Sequence, residues 1–159
     1  AIQLAKAAGA TVIATSSSDE KLARVKAMGA DHVINYRTTP DWGAQAAQLA
    51  GGGVDKVVEV GGAGTLKQSI AAVGFAGEIA LIGVLTREGD TSPHGLMFKG
   101  ASIRGIFVGS KGMAQRLNSF VDAHAIKPVV DQMFPMESAR AAYAYQASAG
   151  LFGKVVITL

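Results

Sequence analysis

Short runs of Val, Ile and Leu alternate along this chain with segments in which apolar residues recur every three or four positions. The short runs are typical of strands buried on both faces, and the longer spacing is typical of helices that pack one face against a sheet. Strands that alternate with helices indicate an α/β fold with a parallel sheet. The predicted strands are 11–15, 32–35, 55–60, 78–83 and 102–108.

The chain opens in a helix rather than in a strand. Residues 1–8 form an Ala-rich apolar run that ends at Gly9, and the first predicted strand follows directly. A helix that leads into a parallel strand is the second half of a βαβ unit. We therefore expect a doubly wound parallel sheet that lacks, in this sequence, its first strand and the glycine-rich turn after it.

Several helix starts carry recognisable caps. Ser17 is predicted to cap one helix, with Glu20 completing a capping box, and Ser110 is predicted to cap another. Thr39 and Pro40 predict a third start with proline in the first turn. These caps place a serine-rich segment at the amino end of a helix.

The pattern changes after residue 126. Residues 127–130 are extended, a helix is predicted from Met136, and a terminal strand is predicted at 153–159. These elements do not continue the earlier strand–helix alternation. We expect one domain over residues 1–126 and a separate segment over 127–159.

Composition and charge narrow the function classes. The chain is 49% hydrophobic and 17% charged, which is typical of a globular protein. Its net charge of +3 is spread over single lysines and arginines, so nucleic-acid binding is not predicted. No apolar run is long enough to span a membrane. Because the sequence contains no cysteine, it cannot supply a disulfide or a cysteine-ligated zinc site.

The sequence shows no catalytic or metal-binding constellation. His32, His94 and His124 are far apart along the chain, and isolated histidines are more often structural or solvent-facing than ligands or bases. Neither a G-x-S-x-G elbow nor a G-x-x-x-x-G-K-[ST] loop occurs, and Asp55 and Glu59 lack a spacing that suggests acid–base work. We therefore expect a binding surface without catalytic residues or metal ligands of its own.

Small hydroxyl residues follow the first predicted strand. In folds that bind NAD, an acid at this position accepts a hydrogen bond from the ribose 2′-hydroxyl, but here the position holds Ser17 and Ser18. Lys21 lies further along the helix, and Tyr36 follows the next strand. Hydroxyls, a helix amino end and a cation favour a 2′-phosphate instead. The alternative is that the serines only cap the helix and that Lys21 is solvated.

Glycines end the next three strands. They occur in Gly61-Gly62, Gly83-Val84 and Val108-Gly109, and glycine lets a backbone approach a flat ligand closely. Each alone is more often an ordinary turn. Three at the carboxyl edge of one parallel sheet indicate a binding cleft.

The order of these motifs resembles the medium-chain dehydrogenase/reductase superfamily, which contains zinc-type alcohol dehydrogenases and zinc-free quinone and enoyl reductases. The resemblance implies a Rossmann-type domain over 1–126 and, in 127–159, a segment that returns to a catalytic domain. It also implies that Ser17, Lys21 and Tyr36 surround the 2′-phosphate of NADP(H). The segments that carry the resemblance are 9–21, 28–36, 55–62, 83–85, 107–110 and 153–156. The residues implied to line the ribose and nicotinamide are Gly61, Gly62, Val84, Phe107, Val108 and Gly109.

The implied activity is hydride transfer between NAD(P)H, with NADPH preferred over NADH, and an alcohol, carbonyl, quinone or enone. We further expect a cytoplasmic homodimer joined through an edge strand at 103–108. Whether zinc takes part depends on a catalytic domain outside this sequence. Two alternatives stay open, namely a Rossmann module that senses dinucleotide without reacting it and a subunit that has lost its site.

The segment alone is expected to be inactive, because the catalytic residues would lie in the other domain. We also expect it to fold poorly or to pack with one strand missing. Strands on either side of an absent central strand lose the partners of their backbone amides and carbonyls.

Overall fold

The computed structural model describes residues 1–148 and 150–159. The chain forms two compact units, Ala1–Ala114 and Gln115–Leu159. The elements of the first unit are α1 (Ile2–Ala7), β1 (Ile13–Ser16), α2 (Asp19–Ala27), β2 (His32–Asn35), α3 (Trp42–Leu49), β3 (Val54–Glu59), α4 (Ala63–Ala72), β4 (Val73–Leu81), α5 (His94–Met97) and β5 (Ser102–Gly105). Helix α6 (Lys111–Ala123) runs from the first unit into the second. The predicted domain boundary after residue 126 stays a prediction.

All paired strands of the first unit run parallel, which confirms the predicted α/β class. Strand β1 pairs with β2, with Ile13 opposite His32 and Ser16 opposite Asn35. Strands β3, β4 and β5 form a second sheet in that order. Within the described residues, β1 pairs only with β2 and the free side of β3 has no strand partner, so no backbone ladder joins the two sheets.

Side-chain packing, rather than a ladder, links the two sheets of the first unit. Ile34 of β2, Ala46 of α3 and Ala72 of α4 form one buried cluster, against which Ile13 and Val54 pack. Helix α3 therefore contacts elements of both sheets. Each fully buried aliphatic side chain of the size of Ile34 contributes about 1.5–3 kcal/mol to folding.

A second buried cluster supports the sheet of β3, β4 and β5. Leu66 and Ile70 project from α4 onto Val73 and Ile79 of β4, and Leu96 of α5 closes the cluster. Val73 and Ile79 have no exposed surface. In the sequence, Leu66, Ile70 and Val73 are spaced by four and three residues, which predicts one apolar face of a helix. The Leu66–Ile70 part of this pattern is the face of α4 that packs on the sheet.

Strand β4 begins earlier than the sequence predicts. It starts at Val73 rather than at residue 78, and Val73 pairs with Val54 before the register shifts and Glu78 pairs with Lys56. Gly74 and Gly77 interrupt the apolar run, so the hydrophobic pattern does not predict the first part of this strand. The prediction that placed Val73 on the helix was wrong for the same reason.

Two predicted helix starts were also wrong. Ser18, not Ser17, caps α2, and its Oγ accepts a hydrogen bond from the Lys21 amide at 3.3 Å. Helix α3 begins at Trp42, so Pro40 lies in the turn before it. The predicted cap at Ser110 is confirmed, because its Oγ accepts the Met113 amide at 3.2 Å.

An ion pair ties α1 to the beginnings of β1 and β2. The Asp31 carboxylate accepts hydrogen bonds from Lys6 Nζ at 2.8 and 3.0 Å and from the Val12 amide at 2.7 Å. The hydrogen bond from Lys6, followed by that from the Val12 amide, lowers the pKa of Asp31 below its usual value. The carboxylate therefore stays ionised and keeps these three segments together at neutral pH.

The second unit contains its own βαβ arrangement. Strands β6 (Val130–Pro135) and β7 (Lys154–Thr158) pair in parallel, and a short 3-10 turn (Met136–Ser138) and α7 (Ala139–Gln146) connect them. The expectation that this part abandons the strand–helix alternation was wrong. Asp131 and Gln132 lie within β6, and these polar residues obscured the strand in the sequence.

None of the described helices is both long enough and apolar enough to cross a membrane.

Candidate functional site

The first candidate region lies where β1 and β2 end. The Tyr36 amide donates to the Ser16 carbonyl at 3.1 Å, so the serine segment after β1 and the residue after β2 lie side by side. Ser17 and Ser18 are half-buried, and Tyr36 is 44% exposed. Lys21 stands in the first turn of α2, which Ser18 caps. The structure therefore brings Ser17, Ser18, Lys21 and Tyr36 to one corner of the molecule.

Sequence reasoning missed three polar residues at this corner. Asn35 donates from Nδ2 to the Asp19 carboxylate at 2.6 Å, and its Oδ1 accepts the Arg37 amide at 3.0 Å. Arg37 is exposed and adds a cation directly after Tyr36. The signal for the Asn35–Asp19 pair was available in the sequence, because Asn35 ends β2 and Asp19 begins α2 on neighbouring strand–helix units. Of the two acids in the first turn of α2, Asp19 and Glu20, Asp19 is hydrogen-bonded to Asn35.

The second candidate region lies at the carboxyl end of β3, where Glu59 is almost fully buried with 3% exposed surface. Its Oε1 accepts the Gly61 amide at 2.7 Å, the Gly62 amide at 3.0 Å and the Thr65 hydroxyl at 2.6 Å. Its Oε2 accepts the Ser69 hydroxyl. These four donors satisfy a carboxylate that would otherwise be costly to bury.

The sequence contained a signal for Glu59 that was not used. Glu59 lies two residues before Gly61-Gly62. Thr65 and Ser69 are four residues apart and therefore lie on one face of α4, the face that is directed towards Glu59. The sequence predicts no catalytic role for Glu59, because no second acid lies at a catalytic spacing from it. Its role in the structure is instead to organise the turn between β3 and α4.

Thr86 connects this turn to the loop after β4. Its amide and its hydroxyl both donate to the Gly61 carbonyl at 2.8 Å. Its hydroxyl oxygen accepts the Gly64 amide at 2.7 Å, and its carbonyl accepts the Ala63 amide at 3.2 Å. The structure thereby joins Gly61, Gly62 and the loop that carries Val84 in one hydrogen-bonded unit.

The residues after β5 lie at the same edge of the sheet. The Ile106 amide donates to the Leu81 carbonyl at 2.9 Å, which places the end of β5 beside the end of β4. Phe107 and Val108 follow with 91% and 78% of their surface exposed, and Val84 is 77% exposed. Phe107, Val108 and Gly109 are thus on the edge that also carries Gly61, Gly62 and Val84. Their role in cofactor binding stays a prediction.

These features fit a flat, partly apolar ligand with an anionic end. The edge of the β3–β4–β5 sheet presents exposed apolar side chains around a rigid glycine turn, and the β1–β2 corner presents hydroxyls, a lysine and an arginine. Such a pairing of surfaces suits a dinucleotide at the carboxyl edge of parallel strands. A zinc site is not supplied by the described residues, since they hold no group of three or more histidine, cysteine, aspartate or glutamate side chains suited to a metal ion.

Comparison with known proteins identifies the family and the fold of the chain. The family of zinc-binding dehydrogenases matches residues 1–123. A zinc-type alcohol dehydrogenase-like protein of Schizosaccharomyces pombe is 45% identical over 100% of this chain and 48% of its own length. The chain thus spans about half the length of this curated relative.

Two solved structures show the same fold. A structure described as an NAD-dependent alcohol dehydrogenase superposes with a TM-score of 0.89 at 38% identity, covering 99% of this chain and 46% of its own. The quinone oxidoreductase from Thermus thermophilus, solved also in its complex with NADPH, gives a TM-score of 0.83 at 28% identity, covering 99% of this chain and 52% of its own. On the family match and these relatives, the chain belongs to the zinc-binding dehydrogenase family, within the medium-chain dehydrogenase/reductase superfamily.

Proposed function

We propose that this chain is the cofactor-binding part of an oxidoreductase that transfers hydride between NAD(P)H and an alcohol, carbonyl, quinone or enone. The observation that carries the proposal is the hydrogen-bonded unit of Gly61, Gly62 and Thr86, set beside exposed Val84 at the carboxyl edge of a parallel sheet. Family membership and the cofactors named for the related structures support it.

The chain's own contribution to this reaction is binding and orientation. When bound, the nicotinamide supplies the hydride chemistry. Val84, Phe107 and Val108 would cover the apolar face of the ring and keep water from it, while the glycine turn permits close approach. Residues 1–126 act as the cofactor-binding domain, and 127–159 lead back to a catalytic domain that supplies the reacting groups. The isolated segment is accordingly inactive.

The β1–β2 corner favours NADPH over NADH in this proposal. Ser17, Ser18 and Tyr36 offer hydroxyls to a 2′-phosphate, and Lys21 and Arg37 offer positive charge. Asp19, the first residue of α2, is hydrogen-bonded to Asn35. A charge-assisted contact to phosphate is stronger than a neutral hydrogen bond, so the cations should dominate the choice of cofactor.

Lys21→Ala tests the cofactor assignment. We expect the variant of the full-length protein to bind NADPH about tenfold more weakly and NADH as well as before, because only NADPH carries the 2′-phosphate. Fluorescence titration with each dinucleotide measures both affinities.

Lys26→Ala is the matched control for this experiment. Lys26 lies on the same helix, but its ammonium donates to the Asp31 carbonyl, away from the serine segment. We expect it to leave both affinities unchanged. Equal weakening of NADPH and NADH by Lys21→Ala would contradict the 2′-phosphate assignment.

A homodimer joined through β5 is part of the same proposal. All residues of β5 are exposed, and within the described residues β5 pairs on one side only, with β4. An unpaired strand edge favours pairing with a second copy across a two-fold axis. Sedimentation of the full-length protein should give the mass of a dimer, and a monomer at micromolar concentration would overturn this assignment.

A further inference from the structure

Glu59 is a buried acid with no assigned part in the proposed hydride transfer. All its donors are neutral, namely the amides of Gly61 and Gly62 and the hydroxyls of Thr65 and Ser69. A buried carboxylate is costly to desolvate, and an apolar residue could fill the same space. A buried glutamate at this position is therefore best explained by a role in fixing the conformation of the Gly61–Gly62 turn.

The shape that Glu59 holds is unusual. Gly62 has φ +88°, a left-handed conformation that favours glycine. The two amides of the Gly61–Gly62 turn donate to Glu59, the Gly61 carbonyl accepts Thr86, and the Gly62 carbonyl accepts the Leu66 amide at 3.0 Å. The backbone polar groups of the turn have partners within the protein, and Gly62 is buried while Gly61 is half-buried. The turn therefore offers a ligand van der Waals contact rather than free donors or acceptors.

We propose that Glu59 is a positioning residue for the nicotinamide half of the cofactor and that it acts through the Gly61–Gly62 turn. This inference rests on the proposed function. A turn whose backbone polar groups all have partners, and whose Gly61 is half-buried, lies beside exposed Val84 and fits a ribose and a flat ring through van der Waals contact. The charged corner at the ends of β1 and β2 belongs to the other sheet. The adenosine half of the cofactor would therefore contact the β1–β2 sheet, and the nicotinamide half would contact the β3–β4–β5 sheet.

The test compares two ligands on the full-length protein. NADPH contains both halves, whereas adenosine 2′,5′-bisphosphate contains only the adenosine half. Glu59→Asp withdraws the carboxylate from the turn by one methylene, and we expect it to weaken NADPH binding about tenfold while bisphosphate binding stays within about twofold. Glu59→Gln keeps an oxygen that can accept both amides, so its loss of NADPH affinity should be smaller.

Lys21→Ala should give a different pattern, because it should weaken the binding of NADPH and the binding of the bisphosphate together. If Glu59→Asp does not fold, Thr65→Val and Ser69→Ala replace it. Thr65 shares Oε1 with the glycine amides and Ser69 bonds Oε2 alone, so Thr65→Val should weaken NADPH binding more than Ser69→Ala.

The outcomes separate the two proposals. If the unmodified protein binds neither NADPH nor NADH, the proposed function fails, and the inference about Glu59 fails with it. If the unmodified protein binds NADPH but Glu59→Asp and Thr65→Val bind it equally well, only the inference about Glu59 is overturned. Equal weakening of NADPH and the bisphosphate by these variants would show a merely structural role and would also overturn it.

Discussion

Gly83→Ala is expected to lower the free energy of unfolding by about 3 kcal/mol and to abolish NADPH binding. A Cβ at Gly83 would overlap the Val60 carbonyl group and would lie 2.6 Å from Val60 Cα. These are backbone atoms at the end of β3, so they cannot move aside as a flexible side chain could. The Gly83 amide also donates to the Glu59 carbonyl at 3.1 Å. Relief of the overlap would separate the ends of β3 and β4 and distort the turn between β3 and α4.

Gly105→Ala is the matched control for Gly83→Ala. Gly105 ends β5, and a Cβ there would meet no atom within 4 Å. We expect a change within about 0.5 kcal/mol and little effect on NADPH affinity. Denaturant unfolding measures the stabilities, and fluorescence titration measures binding. Wild-type stability and binding in Gly83→Ala would show that the ends of the two strands are not packed as described.

Lys99→Met is expected to lower the free energy of unfolding by about 3 kcal/mol. The Lys99 ammonium donates to the carbonyls of Ile70 and Ala71 at 2.8 Å and of Val73 at 2.7 Å. Carbonyls at the end of a helix have no amide partner within the helix. Methionine has a similar length but no donor, so these carbonyls would lose their partner at the junction of α4 and β4.

Lys67→Met is the control that separates this effect from the loss of a surface charge. Lys67 lies on α4, is 72% exposed and approaches Asp90 only to 3.7 Å. Exposed pairs of this kind contribute about 0–1 kcal/mol, so the midpoint of thermal unfolding should change little. A comparable loss of stability in both variants would contradict the capping role of Lys99.

Much of the sheet followed from local patterns. The strand His32–Asn35 was predicted with its observed bounds, because a short apolar run lies between a glycine-ended helix and a polar turn. The Leu66–Ile70 spacing identified the buried face of α4. Predictions were wrong where glycines or polar residues interrupt the pattern, as at Gly74 in β4 and at Asp131 in β6.

The candidate site was predicted less completely than the sheet. The glycines after β3 and β4 were identified from their place at strand ends, and their part in cofactor binding stays a prediction. The hydrogen bonds of Thr86 to Gly61 could not be predicted, because Thr86 lies in the loop after β4 and nothing near it in sequence indicates a bond to Gly61. The role of Glu59 could not be predicted from acid spacing, because the groups that donate to its carboxylate are amides and hydroxyls of the turn and helix that follow it.

The sequence by itself determined the alternation of parallel strands and helices and the residues that lie at the strand ends. Both depend on short-range periodicity and on turn residues, which are local properties of the chain. Only the tertiary structure decided which strand ends are tied together, since hydrogen bonds such as those of Thr86 and Lys99 join segments that are distant in sequence. It also decided that Glu59 is buried, because burial depends on how α4 packs against β3 and not on the residues beside it.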